Sequence, residues 1–567
     1  MTHDGGAPPM YGDPMPESQP RFDAADLASW RAKVTADLSG RDPDSLTRRL
    51  LDGVSLPALS TAEDAPPPRS APGAAPFTRG RGLDVWRVGQ ALHRPERARV
   101  ERAVREGAEQ IWVSGAQPSP GLVEGLDVDW VFETDARAPA LERVTCAMDP
   151  LAGDADDGTW TQLAEAARAS GRTLLVDCRP THEAGGSAAL ELAWLCAAGL
   201  EQLRQLSERD LALHTLPAKL RFALALDADL FVGIAKLRAA RLLWSKVSRA
   251  LGVDGDGAWI DAFGSSRGLS VLEPHTNLLR GTTMAFAAVV GGAQAVHVNA
   301  FDAPTGAPSE GAEHLARNTQ HLLRHESHLG HVVDPAGGSY AIEGLTERLA
   351  RAAWSVFQEL EHLGGAARSL KDGGWAERVE ASAAERRVAV AERKRGLIGV
   401  NRYAGPVRPA EREAPPAERE GTAAGSLRPL AEAAPFEALR RRAAAAPTRR
   451  AVVLGVGEVR AIKPRMDFAR EALEVGGFEV EVLGPVASAA DAGALAASAP
   501  IVCVCATDDD TEAVVGALAP GLREAGARAV VVAGAPREGL DADAFVHRKM
   551  NATETLERLV AKLEEDA

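Results

Sequence analysis

The sequence predicts an α/β protein in which a (β/α)8 (TIM) barrel is followed by a smaller, doubly wound domain of the flavodoxin type. Between about residues 77 and 403, short apolar runs alternate with amphipathic helical segments, which is the rhythm of repeated βα units. The same alternation returns after residue 448, beyond a stretch rich in Pro, Ala and Glu. At 567 residues the chain is also too long for a single core.

Residues 1–75 are predicted to form an N-terminal arm. The first 20 residues are rich in Pro and Gly, which predicts disorder. From Phe22 the segment DAADLASWRAKVTADLSG has the amphipathic pattern of a helix, and the stretch TAEDAPPPRSAPGAAP that comes later is extended in character. We expect this arm to wrap around a partner.

Residues 76–403 are predicted to form the barrel. Its strands are assigned to the apolar runs LDVWRV, QIWVS, DWVFE, TLLVDC, RFALAL, AWIDAF, AVHVNAF and SYAIE. The helices between them are well marked, because GSAALELAWLCAAGLEQLRQL and LFVGIAKLRAARLLWSKV keep apolar residues at positions i, i+3, i+4 and i+7. Eight strands over this length suit a (β/α)8 barrel with insertions.

The second half of the chain predicts a linker and a small domain. Residues 404–447 begin without an apolar period, and their Pro, Ala and Glu content is typical of a semi-rigid interdomain linker. Residues 448–567 then alternate helices with the strands AVVLGV, FEVEVLG, IVCVCAT, AVVVAG and AFVHR. A doubly wound sheet binds ligands at the carboxyl ends of its strands, so any ligand of this domain is expected there.

Composition and charge exclude several classes of function. The net charge of −15 argues against a nucleic-acid partner, which needs a basic face. No signal-peptide pattern opens the chain, and no stretch of about 18 apolar residues predicts a membrane span. The cysteines are odd in number and scattered, which predicts a reducing, cytoplasmic location without disulfides; they are Cys146, Cys178, Cys196, Cys503 and Cys505.

The turn GVGEVRAIKPRMDF follows the first strand of the small domain, at a place where such domains hold phosphates or cofactors. Gly455 and Gly457 begin a G-x-G, but position 460 is Arg where G-x-G-x-x-G requires Gly. A dinucleotide site is therefore disfavoured. The favoured interpretation from these residues is a strand-to-helix turn without a ligand.

Several ordered strings give the chain a resemblance to a known family. The densest is HLARNTQHLLRHESHLGHVVDPAGGSY at residues 314–340, and others are FVGIAKLRAARLLW, HTNLLRGTT, GGAQAVHVNAFD and KRGLIGVNRY. With these strings in order, the chain resembles the adenosylcobalamin-dependent methylmalonyl-CoA mutase family over nearly its whole length. The resemblance implies a TIM barrel for the acyl-CoA and a flavodoxin-like, cobalamin-binding type of domain after it.

The resemblance also implies a test of the cofactor site. Catalytic chains of the family carry D-x-H-x-x-G in the first turn of the small domain, where the His ligates cobalt and the Asp orients its imidazole. Aligned on GGFEVEVLG at 476–484, this chain places Arg460, Ile462 and Arg465 at the Asp, His and Gly positions, with Pro464 stiffening the turn. Ile462 has no lone pair for cobalt, and after the linker the sequence has only His547.

The predicted first barrel strand departs from the family in the same way. Catalytic chains have a tyrosine there, against the corrin and the substrate, whereas RGLDVWRVGQALHRPE at 81–96 has none. The tyrosines of the chain are Tyr11, Tyr340 and Tyr403, all far from this strand. Three tryptophans in the first three predicted strands are candidates to fill a barrel interior that an acyl-CoA would otherwise need, namely Trp86, Trp112 and Trp130.

Other candidate residues have interpretations that need no ligand. Cys503 and Cys505 share one face of a strand, and core packing is favoured over a soft-metal site. Four histidines at helical spacing suggest a metal pair or, as the favoured alternative, a solvated or partner-facing stripe; they are His321, His325, His328 and His331. His275 and His297 lie near the ends of predicted barrel segments, where a structural role is favoured.

These features together make the chain similar to the small, non-catalytic (beta) subunit of the heterodimeric members of the family. The expected partner is a homologous large subunit that binds adenosylcobalamin and carries out the isomerisation, so no catalytic, cofactor-binding or metal-binding residue is assigned to this chain. Two alternatives remain open. One is an active mutase chain that binds cobalamin without a protein imidazole, and the other is a regulatory module that binds acyl-CoA in its barrel. The sequence leaves the acyl chain of the substrate open.

Overall fold

The computed structural model describes most of the chain. The described residues are 25–66, 70–82, 85–134, 143–152, 156–168, 171–253, 255, 257–405, 427–486 and 499–564. The predicted disorder at 1–20, Tyr11 and residues 406–426 of the predicted linker lie outside them.

The N-terminal arm begins with helix α1 at Leu27–Asp37, where the amphipathic pattern predicts one. Asp26 caps it by accepting a hydrogen bond from the Ser29 amide at 2.8 Å. None of the residues of α1 is buried in the chain. A short antiparallel pair follows, β1 at Arg48–Arg49 and β2 at Ser55–Leu56.

Eight parallel strands form the barrel, as predicted. Neighbouring strands pair in chain order, β10 pairs with β3, and a bridge from Met148 to Leu174 closes the gap between β6 and β7. The strands are β3 Arg87–His93, β4 Gln110–Ser114, β5 Asp129–Glu133, β6 Val144–Ala147, β7 Leu174–Asp177, β8 Leu220–Leu226, β9 Ile260–Gly264 and β10 Ala295–His297.

One of the predicted strands is wrong, and one strand of the barrel is missing from the prediction. The run SYAIE is not a strand, because Ser339 is the N-cap of helix α10 and Ile342, Leu345 and Leu349 are buried at helical spacing. The missing strand is VTCA at Val144–Ala147, which is short and weakly apolar. Its extended conformation comes from parallel pairing with β5 rather than from its own pattern.

Helices surround the barrel, and α10 packs across α6 and α7. They are α2 Arg97–Arg105, α3 Pro120–Val123, α4 Asp157–Arg168, α5 Arg179–Glu183, α6 Ala188–Ser207, α7 Leu230–Ala250, α8 Pro274–Val290, α9 Glu310–His325, α10 Tyr340–His362, α11 Gly365–Lys371 and α12 Gly374–Ala391. Short 3-10 helices lie at Pro43–Leu46, Pro150–Ala152, Leu213–Thr215, Pro217–Lys219, Ala303–Thr305 and Leu329–His331. Among the described residues no helix is both long and apolar enough to cross a membrane.

The small domain is a five-stranded parallel sheet with the strand order β12-β11-β13-β14-β15, the flavodoxin-like order that the sequence predicts. Its strands are β11 Arg450–Val456, β12 Glu479–Val486, β13 Ile501–Cys505, β14 Ala529–Ala533 and β15 Ala544–Val546. Its helices are α14 Val459–Val475, α15 Thr511–Glu524 and α16 Ala552–Glu564. Both faces of β13 are covered, so Cys503 and Cys505 are fully buried on one face and Val502 and Val504 on the other.

The end of the predicted linker is helical. Helix α13, Ala434–Ala445, buries Phe436, Leu439 and Ala443 in the core of the small domain. The same core includes Val271 and Leu272, which follow strand β9 of the barrel. The two units therefore share apolar contacts at the carboxyl end of the barrel strands.

A buried ionic cluster accompanies this contact. The carboxylate of Glu432 lies 3.2 Å from Arg267 Nε, 3.1 Å from an Arg386 guanidinium nitrogen and 2.8 Å from Arg395 Nε. The Glu432 side chain has no solvent exposure. One carboxylate is thus shared by three arginines.

Candidate functional site

The turn after β11 is short and leads directly into a helix. Strand β11 ends at Val456, Gly457 has a φ of +119°, and helix α14 begins at Val459. Arg460, Ile462 and Arg465 therefore lie in the first two turns of α14, and Pro464, predicted to stiffen the turn, lies inside this helix as well.

Ile462 packs inward from this helix and has no solvent exposure. It lies with Met466 against the end of β11, where a Cβ built on Gly455 would come within 2.4 Å of Met466 Sδ and 3.1 Å of the Ile462 Cδ1 atom. The position that the resemblance assigns to a cobalt ligand is thus occupied by a hydrocarbon side chain in the core.

Arg465 covers the carboxyl ends of the neighbouring strands. Its guanidinium donates hydrogen bonds to the carbonyl oxygens of Ala506 at 2.9 Å and Ala533 at 3.4 Å, just after β13 and at the end of β14. It also pairs with Asp508 at 2.7 Å, and this hydrogen bond lowers the pKa of Asp508. The edge of the sheet at which doubly wound domains bind ligands is therefore capped by a side chain of the protein itself.

Aromatic rings fill the middle of the barrel. Trp112 packs edge-on against Phe263, with ring centroids 5.0 Å apart, and His297 stacks on Phe263 at 4.3 Å. Gly89 on β3 leaves room for the imidazole, since a Cβ there would lie 2.5 Å from it. His297 is fixed by a hydrogen bond of 3.1 Å between its Nε2 and Gln110 Oε1.

Charged pairs lie above and below these rings. Arg221, at the start of β8, forms two hydrogen bonds of 3.0 Å with Asp261, and its guanidinium lies 5.0 Å from the centroid of the Trp112 ring. On the other side Arg179, after β7, lies 5.4 Å from Trp112 and pairs with Asp177 and Glu133. The barrel axis is therefore a packed column of aromatic and charged side chains.

Of the three candidate tryptophans, only Trp112 lies in this column. Trp130 is buried outside the barrel among the residues under α2, and Trp86 packs beneath Arg324 at 5.0 Å. Tyr340 and Tyr403 are exposed, at 49% and 73%.

The four histidines do not form one stripe, because α9 ends at His325 and His328 has a φ of +54°. His321 stacks on His325 with centroids 5.9 Å apart, and His328 stacks separately on His331 at 5.1 Å. Across the described part of the chain, no group of three or more metal-ligating side chains is close enough to hold an ion. His275 stacks on Phe301 at 5.1 Å, and His297 belongs to the column in the barrel.

Arg317 of the 314–340 string holds α9 in place, whereas Asn318 makes its hydrogen bond within α9. Arg317 is buried and donates to Gln90 at 2.9 Å and to Glu106, while Asn318 bonds His314 at 2.9 Å. The loop that follows is shaped by Gly338, at a φ of +84°, and by the ion pair of Asp334 with Arg79 at 2.7 Å.

Sequence reasoning missed the charged members of the barrel column. Arg221 and Asp261 are the charged residues of the runs RFALAL and AWIDAF, which are predicted as strands from their apolar residues alone. A charged residue within an apolar strand needs a buried partner, and two such residues in different runs were the available signal. Sequence reasoning also missed His182 in α5, whose Nδ1 lies 3.1 Å from Glu191 Oε2.

Two buried histidines link the stability of the barrel to pH. Burial lowers the pKa of His182 and of His297 well below 6.5, and cationic neighbours add to the effect; these are Arg267 and Lys236 for His182, and Arg179 and Arg221 for His297. Burial acts in the opposite direction on Asp149, whose pKa rises to about 7. Comparing the free energy of unfolding of a His297 variant with that of the parent protein separates the contribution of His297 from that of Asp149.

We expect His297→Gln to lose less stability in acid than at neutral pH. In the parent protein, the stabilisation by neutral His297 is complete above the unfolded pKa of about 6.5 and is lost as the pH falls below it, because only the unfolded chain then binds the proton. The difference in free energy of unfolding between variant and parent should therefore shift in favour of the variant by up to about 1.4 kcal/mol per pH unit. Urea unfolding at about pH 7 and about pH 5 measures this.

Phe132→Leu provides the matched control. This variant changes a buried side chain of the barrel wall that has no titratable group, so its difference from the parent should be the same at both pH values. A pH-independent difference for His297→Gln would contradict the assignment of a neutral, buried imidazole.

The chain is similar to known proteins along most of its length. The methylmalonyl-CoA mutase family model matches residues 158–440. A methylmalonyl-CoA mutase small subunit from Streptomyces virginiae is 35% identical, over 93% of this chain and 94% of the relative. The methylmalonyl-CoA mutase small subunit of Propionibacterium freudenreichii subsp. shermanii is 31% identical over 67% of this chain and 69% of its own length. A methylmalonyl-CoA mutase from Cereibacter sphaeroides is 27% identical over 67% of this chain and 64% of its own length.

Proposed function

Because this chain belongs to the methylmalonyl-CoA mutase family, we propose that it is the small, non-catalytic subunit of a heterodimeric mutase. Its partner is a homologous, larger chain that binds adenosylcobalamin and interconverts methylmalonyl-CoA and succinyl-CoA. The small subunit supports that chain and carries no catalytic, cofactor-binding or metal-binding residue of its own. Two of the relatives described above have small subunit in their names, which favours this role over that of a lone enzyme.

The observation that carries the proposal is Ile462. A corrinoid held through a protein imidazole needs a nitrogen donor at this place, and the buried isoleucine offers none. Arg465 stands where the family's glycine would admit the backbone to the corrin tail, and its guanidinium is bonded to the strand ends. These residues do not fit the cofactor, so we assign no reaction step to this chain.

The barrel interior supports the same proposal. A CoA thioester reaching through a barrel needs a path along the axis, and here Trp112, Phe263 and His297 meet there in van der Waals and stacking contact. The ion pair of Arg221 with Asp261 lies below them. Admitting the ligand would require these buried side chains to move together.

The division of the chain is part of the proposal. It comprises an arm at 1–75, a barrel at 76–403, a connecting segment at 404–447 that ends in a packed helix, and the small domain at 448–567. The arm is our candidate for the contact with the large subunit, because α1 buries none of its residues within this chain.

The purified chain alone is expected to bind no adenosylcobalamin through a histidine. A complex with the homologous large chain should bind the cofactor and isomerise methylmalonyl-CoA. Absorption spectra and the cob(II)alamin EPR spectrum of each preparation measure this, since a nitrogen ligand splits the EPR lines. The large chain alone, handled identically, is the positive control for cofactor uptake.

Two outcomes would contradict the proposal. If the lone small chain gave a histidine-ligated cobalamin spectrum or turned over an acyl-CoA, it would be an active mutase. If calorimetry showed tight, stoichiometric binding of CoA esters to the lone chain, it would be an acyl-CoA-binding module with an open barrel.

A further inference from the structure

A cavity of about 340 Å³ lies off the barrel axis, at the carboxyl end of β8. One wall is formed by residues 48–52 of the N-terminal arm, and the floor by the residues that begin α6 and α7. Its volume is within the range of small-ligand sites. The cavity belongs neither to the column in the barrel nor to the strand ends of the small domain, so what it binds does not depend on the function proposed above.

The lining of this cavity is cationic. Seven of the lining residues are basic and three are acidic; the basic ones are Arg48, Arg49, Lys236, Arg267, Arg386, Lys394 and Arg395. The acidic ones are Asp52, Asp227 and Asp229. Glu191 and Glu432 lie behind the lining and bind Lys236 and three of the arginines. Even with both counted, positive charge is in excess.

The positive charge is not fully compensated where it is most buried. Burial, together with the charges of Arg267 and Arg395, lowers the pKa of Arg386 to about 9. An anion in the cavity would relieve this repulsion. Ser187 and Asp229, the N-caps of α6 and α7, also line it, so the amino ends of two long helices approach the same space.

His182 indicates which kind of anion fits. His182 lines the cavity, and only 3% of the residue is exposed to solvent. Its Nε2 has no hydrogen-bond partner. The carboxylate of Glu191, 3.1 Å from Nδ1 and 2.5 Å from Lys236 Nζ, accepts hydrogen bonds, so the imidazole proton is on Nδ1. Nε2 is therefore a lone-pair acceptor that lacks a donor.

A ligand that matches both features must be an anion that also donates a hydrogen bond. We propose that this cavity binds a phosphate group that retains one P–OH, as hydrogen phosphate or as the monoanion of a phosphomonoester, with its oxygens toward the cationic lining and its P–OH donating to His182 Nε2. A fully ionised anion of the same shape would satisfy the charges and leave the imidazole nitrogen unpaired.

Phosphate and sulfate separate these possibilities. At about pH 8, hydrogen phosphate and sulfate are both divalent and tetrahedral, and only the first carries a proton to donate. Calorimetric titration of the full chain should show saturable phosphate binding and sulfate binding weaker by at least about fivefold, because sulfate leaves a buried acceptor unpaired. Equal binding of the two ions would overturn the role of His182, and no saturable phosphate binding at millimolar concentrations would overturn the site.

Charge reversal at the rim tests the location. Arg49 and Lys394 are exposed, so Arg49→Glu and Lys394→Glu should fold and should weaken phosphate binding by about tenfold each. Lys371→Glu, an equally exposed change at the end of α11, is the matched control and should have no effect. Equal affinity in all three variants would place the phosphate elsewhere and overturn the proposal.

At about pH 5.5, where inorganic phosphate and glycerol 3-phosphate both carry a P–OH, a comparison of the two identifies the source of the group. Tighter binding of the ester would mean that the remaining cavity volume holds the organic part of a phosphorylated metabolite. Equal or weaker binding of the ester would mean that the site takes free phosphate. Either result supports the proposed site, provided that Arg49→Glu and Lys394→Glu weaken the binding of the ligand concerned.

Discussion

Replacing Glu432 by alanine is expected to lower the free energy of unfolding by about 3 to 5 kcal/mol, which is the usual cost of removing one partner from a buried ionic cluster. Its carboxylate is the shared partner of Arg267, Arg386 and Arg395, and it is completely buried. Without it, these guanidinium groups would repel one another in a region of low dielectric constant. Urea unfolding followed by circular dichroism measures the change.

Glu380 offers a matched control. It pairs with Arg387 on the surface of α12, where both side chains are about half exposed or more. Glu380→Ala should change the free energy of unfolding by about 0.5 kcal/mol or less. If Glu432→Ala cost no more than this control, the cluster would not stabilise the contact between barrel and small domain.

Trp112→Ala is expected to destabilise the barrel by about 3 to 5 kcal/mol, since it removes a fully buried ring and leaves a cavity that its neighbours cannot fill. The ring lies between Arg179 and Arg221 and against Phe263, and its Nε1 donates to Glu133. The variant would also leave the Glu133 carboxylate with one donor fewer. The same urea experiment measures the loss.

Trp112→Phe separates packing from hydrogen bonding. It keeps an aromatic ring in the column and should cost about half as much as alanine or less. A loss below about 1 kcal/mol for Trp112→Ala would mean that the axis is loosely packed, and the argument against a threaded CoA chain would fail with it.

The sequence predicted the architecture because the apolar runs of parallel strands are continuous and well separated. The prediction missed the strand Val144–Ala147, whose extended conformation depends on pairing with its neighbour. It assigned residues 339–343 to a strand because so short an apolar run does not distinguish a strand period from a helical one. Helix α13 was hidden by its composition, since Ala, Arg and Pro around Phe436 resemble a linker. Only tertiary contact reveals that Phe436 is buried.

The residue types at the candidate site follow from the sequence, and the contacts that those residues make do not. A single aligned position identified Ile462 as unsuited to cobalt, because this conclusion depends on the residue type alone. The contacts of Arg465 with the strand ends and the position of Trp112 on the axis depend on side-chain direction, which one sequence does not specify. The arginines around Glu432 come from distant segments, and no local pattern connects them.

Over residues 427–436, the described part of the connection between the barrel and the small domain, the chain is packed at both ends. Leu427 is in the barrel core, Glu432 is in the ionic cluster, and Phe436 is in the core that Val271 and Leu272 help to form. Moving the small domain away from the barrel would expose those apolar side chains to water and separate the buried Glu432 carboxylate from its arginines. Residues 427–436 therefore fix the small domain to the barrel, so the two units are expected to move together.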